Sequence, residues 1–265
     1  MAEEIAVIPP KGNIEGVKPQ VAQKVFEMLK KGRRYFGSSG ASLTHLASNK
    51  EYQQRFGGED FDSGPARIGL EGERETTAFL KKWIKDKPNA VLIDSAHIRG
   101  WGKEEVDEET GLIEGGDTDH ILIIGNEVHL IDSKRWKKKS NYQVADDGSI
   151  LRANKAFPGG KVRATEAMHM WLDYLDSDAR VTTFICIQAE DVTVFRNRNW
   201  YTHQFRLVEI SRFGELLDAK YNTIADEDKE TINSTLVAQV AVSAVKPYDE
   251  YEKVFGDLNK LKDFR

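Results

Sequence analysis

Asp132-Ser-Lys134 closes an apolar run, Val128-His-Leu-Ile131, and Asp119 opens another, His120-Ile-Leu-Ile-Ile124; Gly125-Asn-Glu127 lies between them. The two runs read as strands joined by a tight turn, a β-hairpin. Antiparallel pairing sets the start of the first strand beside the end of the second, which brings Asp119 next to Asp132. Residues two apart on a strand share a face, so Lys134 points the same way as Asp132. Two carboxylates and an ammonium then meet at one end of a sheet. Hard divalent cations such as Mg2+ or Mn2+ take oxygen ligands of this kind, together with the phosphate oxygens of a substrate. A metal there acidifies water, and the lysine either activates that water or stabilises developing charge. The triplet acid-any-lysine carries no weight alone. Asp218-Ala-Lys220 and Glu227-Asp-Lys229 repeat it in polar surroundings, where solvated surface is the expectation.

A third acid belongs with these. A helix is expected from about Leu70 to Lys85, and on it Glu73, Thr76, Thr77, Leu80, Trp83 and Ile84 share one face. Glu71, Arg74, Glu75, Lys81, Lys82 and Lys85 form the opposite face. Glu73 thus lies on the inward stripe, where a carboxylate is costly unless paired or metal-bound.

Several elements must position these groups. The pattern predicts an irregular arm over residues 1–18, a helix over Gln20–Lys31 and a second over Ser42–Phe56, with a linker from Gly57 to Pro65. Beyond the helix at 70–85, Ala90–Ile93 reads as a strand, and an acidic loop runs from Arg99 to Gly116. After the hairpin come a glycine-rich loop containing Pro158-Gly-Gly160 and a helix over Val162–Leu175. Val181–Ile187 reads as a strand, and His203–Ile210 alternates weakly. Two polar helical segments, Glu227–Val242 and Tyr248–Leu261, close the chain. Helix, strand, hairpin, helix and strand in this order imply an α/β fold, a central mixed β-sheet flanked by helices. The expected division is 1–60, an N-terminal arm and helices; 61–215, the core; and 216–265, a C-terminal helical extension. The terminal helices are candidate contacts for a homo-oligomer.

Composition narrows the class. At 265 residues, 40% hydrophobic and 31% charged, the chain can bury a sizeable core. Its only cysteine, Cys186, lies in the apolar run Thr183–Ile187, which excludes an internal disulfide and a cysteine-rich zinc site. No apolar stretch approaches the ~20 residues of a membrane helix, and the acidic start Met1–Ile8 lacks the features of a signal peptide. A cytoplasmic protein is expected. Net charge is −5, but the charge is unevenly spread. Glu104 to Asp119 holds eight acids and no base, whereas Lys134 to Arg163 holds nine bases and two acids. A basic strip of this kind can hold a polyanion on an acidic protein.

These residues resemble the nuclease-related domain (NERD) family of the PD-(D/E)XK nuclease superfamily, over about Ala66 to Gln188. Gly72-Glu73 is similar to the family's Gly-Glu on a helix, Thr118-Asp119-His120 to its Ile-Asp-His before an apolar strand, and Asp132-Ser-Lys134-Arg-Trp136 to its Glu-x-Lys-x-Trp. Threonine replaces isoleucine, and Asp132 replaces the usual glutamate. The family's later glutamine has no counterpart; Thr165 stands nearest by its spacing to His169. The resemblance implies a restriction-endonuclease-like core and metal-dependent phosphodiester hydrolysis. It implies catalytic roles for Glu73, Asp119, Asp132 and Lys134. The metal, Mg2+ or Mn2+, would be held by the three acids and the Ser133 carbonyl.

The expected substrate is nucleic acid, DNA rather than RNA. Its candidate contacts are Arg135, Trp136, Lys137, Lys138, Lys139, Lys155, Lys161 and Arg163, with the bases holding phosphates and Trp136 stacking a base or packing in the core. His120 and Thr165 are expected to support the ligands from behind. His129 reads as a surface strand residue. The competing readings are a nucleic-acid-binding module without turnover and an assembly protein.

Overall fold

The computed structural model describes residues 5–12, 14, 16–41, 65–96, 118–157, 164–200 and 204–244. The Ser42–Phe56 helix, the linker as far as Gly64, the acidic loop, the Pro158 loop with Lys161 and Arg163, and the Tyr248–Leu261 helix lie outside these residues.

Six strands form the central sheet: β2 (Tyr35–Gly37), β3 (Ala90–Ala96), β4 (Thr118–Ile124), β5 (Glu127–Lys134), β9 (Arg180–Ile187) and β11 (Phe205–Glu209), in the order β11-β9-β5-β4-β3-β2. It is a mixed sheet. β3, β4 and β5 are antiparallel neighbours, while β9 runs parallel to β5, β11 to β9 and β2 to β3. Every residue of β3 and β4 is buried, as their unbroken apolar runs require of strands covered on both faces.

Helices cover both faces. Helices α1 (Pro19–Lys30), α3 (Ala164–Tyr174) and α6 (Ser234–Val242) pack on Val91, Ile93, Ile121, Ile123, Val128 and Leu130. Helices α2 (Pro65–Ile84) and α4 (Ile210–Asn222) cover the other face, on Leu92, Leu122, Ile124, Ile131, Phe184, Cys186 and Val208. None of the helices among the described residues is long and apolar enough to cross a membrane.

Several expectations need correction. The stretch after the hairpin is not a loop throughout. It forms β6 (Asn141–Val144), β7 (Ile150–Arg152) and β8 (Lys155–Ala156), which join β10 (Thr193–Val194) in a second sheet of order β10-β6-β7-β8. This wing packs Tyr142, Val144, Ile150 and Val194 on Ile185, Ile187, Phe205 and Leu207. The N-terminal arm is not irregular throughout either: β1 (Ala6–Ile8) pairs with β12 (Thr231–Asn233), and Ile14 and Val17 are buried. Helix α4 was not expected, although Ile210, Phe213 and Leu217 have helical spacing. The segment from Glu227 is not one polar helix. A short helix, α5 (Asp226–Lys229), gives way to β12 and then to α6, whose residues Ser234–Ala241 are all buried. Thus β2 from the N-terminal segment lies in the central sheet, and α1 and α6 spend their apolar faces on this chain's own core.

The hairpin turn is clamped from the C-terminal side. Asp228 on α5 accepts a hydrogen bond from the Asn126 amide (3.1 Å) and pairs with Arg180, which also reaches Glu127 (2.7 Å). Gly125 has φ +56°, and a Cβ there would run into the Asp228 carboxylate and backbone, so glycine is required.

His129 is not a surface residue. It is 1% exposed, edge-on to Phe184, and burial pushes its pKa down to about 4 against the pull of Glu127. Its folded pKa lies below the ordinary 6.5, so the unfolded chain binds the proton first. Stability should therefore fall as pH drops from about 6.5 to about 4, by up to roughly 3 kcal/mol. His129→Phe should flatten the pH dependence of thermal unfolding in that window; an unchanged profile would show that another group controls it.

Candidate active site

The β4–β5 ladder ends at His120 opposite Ile131, so the backbone beyond it needs other partners. The Ser133 amide donates to Asp119 Oδ2 at 2.6 Å. In an extended strand the amide and carbonyl of one residue face the same flank, so the Ser133 carbonyl is also turned toward Asp119. Lys134 and Asp132 share the opposite side-chain face from Ser133, and their Nζ and Oδ1 lie 2.5 Å apart. Asp119 is 7% exposed and Glu73 5%, whereas the Asp132 and Lys134 side chains keep 25% and 33%. The pair Asp132–Lys134 is thus the solvent-facing part of the group.

The electrostatics tie the four together. Burial pushes the Lys134 pKa down, but Asp132, Asp119, the hydrogen bond to Asp132 and Glu73 together carry it well above the ordinary lysine value. All three acids therefore act on one ammonium, which stays protonated at neutral pH and is placed to stabilise negative charge. Glu73 comes from the buried stripe of α2, with Thr76, Thr77, Leu80 and Ile84 also inward as expected. Its carboxylate lies 3.6 Å from where a Cβ at Gly40 would stand. Among the described residues, no three His, Cys, Asp or Glu side chains converge tightly enough to hold a metal.

Behind the group lies a buried polar network. The Asp94 carboxylate, fully buried at the end of β3, takes hydrogen bonds from Thr77 Oγ1 (2.7 Å) and Tyr35 Oη (3.0 Å) and meets His120 Nδ1 at 2.8 Å. His120 Nε2 meets Ser133 Oγ at 2.9 Å, and Ser133 Oγ donates to Thr76 Oγ1 at 2.7 Å. Thr76 Oγ1 also accepts from Gln188 Nε2 at 2.5 Å. His120 therefore supports the Ser133 hydroxyl. Thr165 stands half-buried near the start of α3. From the same helix Trp171 donates to Thr118 Oγ1 at 2.9 Å, fixing the residue before Asp119. Sequence reasoning passed over Asp94, Tyr35 and Gln188. A signal existed for two of them, since Asp94 ends the apolar run Ala90–Ile93 and Gln188 ends Thr183–Ile187.

The expected nucleic-acid contacts divide. Arg135 is held by Glu71 (3.2 Å) and Glu75 (2.9 Å) on α2. Trp136, half-buried, packs on Tyr142 and Phe157 at the margin of the wing's core, with ring centroids 5.2 and 5.0 Å away. Lys137, Lys138, Lys139 and Lys155 are exposed, with Lys138 paired to Glu190 at 2.9 Å. In the other acid-any-lysine triplets the acids Asp218 and Glu227 are exposed, as expected, but neighbouring groups take structural roles. Asp218 holds Trp83 and Lys87, Lys220 reaches Glu127, and Asp228 clamps the hairpin turn.

No family model, no curated protein and no solved structure matches this chain.

Asp94→Ala should strand Thr77, Tyr35 and His120 in a dry interior, at a cost of roughly 3 kcal/mol or more by chemical unfolding. Asp94→Asn keeps the shape and one acceptor and should cost less. If the alanine variant unfolds within about 1 kcal/mol of the parent, the network does not hold this end of the sheet together.

Proposed function

We propose that the chain is a divalent-metal-dependent nuclease that hydrolyses phosphodiester bonds of DNA, on a restriction-endonuclease-like core of the nuclease-related domain type. One observation carries this reading: at a single sheet end Lys134 meets Asp132 at 2.5 Å while Asp119 holds the intervening Ser133 amide at 2.6 Å, and Glu73 from α2 adds its charge to that of the two aspartates on the ammonium. Such a group of hard oxygen donors suits Mg2+ or Mn2+, which commonly take one or two carboxylates and fill their remaining positions with water and substrate phosphate. The lack of a three-group cluster among the described residues is compatible with that mode. One or two of Asp119, Asp132 and Glu73, with the Ser133 carbonyl, would hold the ion. Bound there, it would acidify water and offset phosphate charge. The residues of the chain do the rest. The Ser133 amide and hydroxyl fix the strand end against Asp119 and His120. The Lys134 ammonium faces the charge that builds on the phosphate oxygens. Lys137 and Lys139 attract the polyanion.

A nucleic-acid-binding module without turnover is the second reading. It is favoured by the Asp132–Lys134 pair occupying its own acid and by the lack of a three-group cluster among the described residues.

Incubation of the protein with linear and circular DNA should show cleavage in Mg2+ or Mn2+ that stops with chelator. Asp132→Ala and Lys134→Ala remove partly exposed groups, so both variants should fold near-normally yet cut about a hundredfold more slowly or worse. Mn2+ titration should separate them, with affinity lost in Asp132→Ala and kept in Lys134→Ala. Wild-type rates in both folded variants would remove this site from the chemistry. DNA binding by the parent with no cleavage in either metal would establish the second reading.

A further inference from the structure

The wing's register places its charges at one end. The Ala153 amide donates to the Asn141 carbonyl (2.9 Å), which sets the tip of the β7–β8 hairpin beside the start of β6. Lys137, Lys138 and Lys139 precede that start, and Arg152 and Lys155 flank the tip. Five cations from two separate stretches thus stand at one end of the small sheet. The acids there are Glu190 and Asp191; Glu190 pairs with Lys138, an exposed contact worth little. At the opposite end Asp146 and Asp147 stand with Arg196 and Arg198, and Asp146 pairs with Arg198 at 3.3 Å.

The basic end adjoins the candidate active site. In the β5–β9 register Asp132 lies beside Ile185 and Lys134 beside Ile187, and it is on Ile185 and Ile187 that the wing packs. Wing and catalytic pair therefore share one face of the central sheet. Trp136, two residues after Lys134, packs on Phe157, and the hairpin tip is only three residues before Phe157.

We propose that this basic end docks double-stranded DNA, with the β7–β8 hairpin entering the major groove and Arg152 and Lys155 on the flanking phosphates. It rests on the nucleic-acid substrate of the preceding reading, not on its metal. A two-stranded ribbon fits a groove about 12 Å wide. The turn residues Ala153 and Asn154, at φ +50° and +61°, form a tight two-residue tip and are exposed. Arg152 is held over the Phe157 ring at 5.0 Å, so its charge is already positioned. Single strands are instead gripped by aromatic rings open to stacking bases. Here the rings at the basic end, Trp136, Tyr142 and Phe157, pack on one another, which favours phosphate contacts and groove shape over base stacking there; the exposed Phe195 follows β10 on the far side of β6 from this hairpin.

The test is fluorescence anisotropy of a labelled duplex and of one of its strands, with chelator present and salt varied, so that no cleavage is needed. The duplex should bind more tightly than the strand. Arg152→Ala with Lys155→Ala should reduce the salt slope by about two, roughly 0.9 for each phosphate no longer neutralised. Lys155→Ala alone, which leaves the Arg152–Phe157 stack in place, should reduce it by about one. Arg196→Ala with Arg198→Ala, at the other end, should leave the slope unchanged. Duplex binding with this pattern from a protein that never cuts would sustain the docking surface while sinking the nuclease. An unchanged slope in Lys155→Ala, equal losses from the two ends, equal or tighter binding of the single strand, or no duplex binding would overturn the docking surface even if the protein cleaves.

Discussion

The hydrogen bond from the Ser133 amide to the Asp119 carboxylate joins the two strand ends where their regular ladder has stopped. A central strand that outruns its partner leaves buried amides that must be satisfied. Asp119 does so on one side, and the Lys134 carbonyl accepts from the Gln188 amide on the other. This geometry makes the end of β5 rigid while keeping Asp132 and Lys134 partly open to solvent. A charged group can be held at the edge of a dry core in this way, because only one side of it has been desolvated.

The two faces of that strand end have different duties. On the α2 face, Asp94, His120, Ser133, Thr76 and Gln188 form a closed network of neutral and charged groups, each serving another. On the other face, Asp132 and Lys134 meet with Asp119 nearby, and Glu73 acts on Lys134 from α2. Burying polar groups beneath a site is costly unless they are fully bonded. In return, the backbone of Ser133 is held by its hydroxyl as well as by its amide, so both the carbonyl and the adjacent acids are positioned by the core rather than by the loop that follows.

The opposite end of the hairpin shows the same economy with a structural purpose. Gly125, Asp228, Arg180, Glu127 and Lys220 lock the turn to the C-terminal elements, and His129 lies neutral beneath them. Within the triplets at 218–220 and 227–229, Lys220 and the middle residue Asp228 take part in this lock, while the acids Asp218 and Glu227 lie at the surface. Identical local patterns thus acquire different meanings from the strand or helix that bears them.

Periodicity made the central architecture legible from the sequence. The apolar runs at 90–93, 121–124, 128–131 and 183–187, the hairpin turn and the inward stripe of α2 are local patterns, and local backbone and burial preferences suffice to produce them. The same reasoning brought Asp119, Asp132 and Lys134 to one sheet end, because strand alternation and antiparallel pairing leave little freedom, whereas helical spacing marked Glu73 only as an inward acid. The wing was not legible: its strands are only two to four residues long, too short for periodicity, and they exist because Tyr142, Val144 and Ile150 find Ile185, Ile187 and Phe205 across the chain. The burial of α6 and of His129 is likewise tertiary, since a short segment with few charges cannot declare which face will be covered. Asp94 and Gln188 became part of the site only when β3, β4, β5 and β9 were set side by side. Whether a carboxylate at a strand end is solvated or serves as the centre of a network depends on neighbours far away in sequence, and only the fold supplies them.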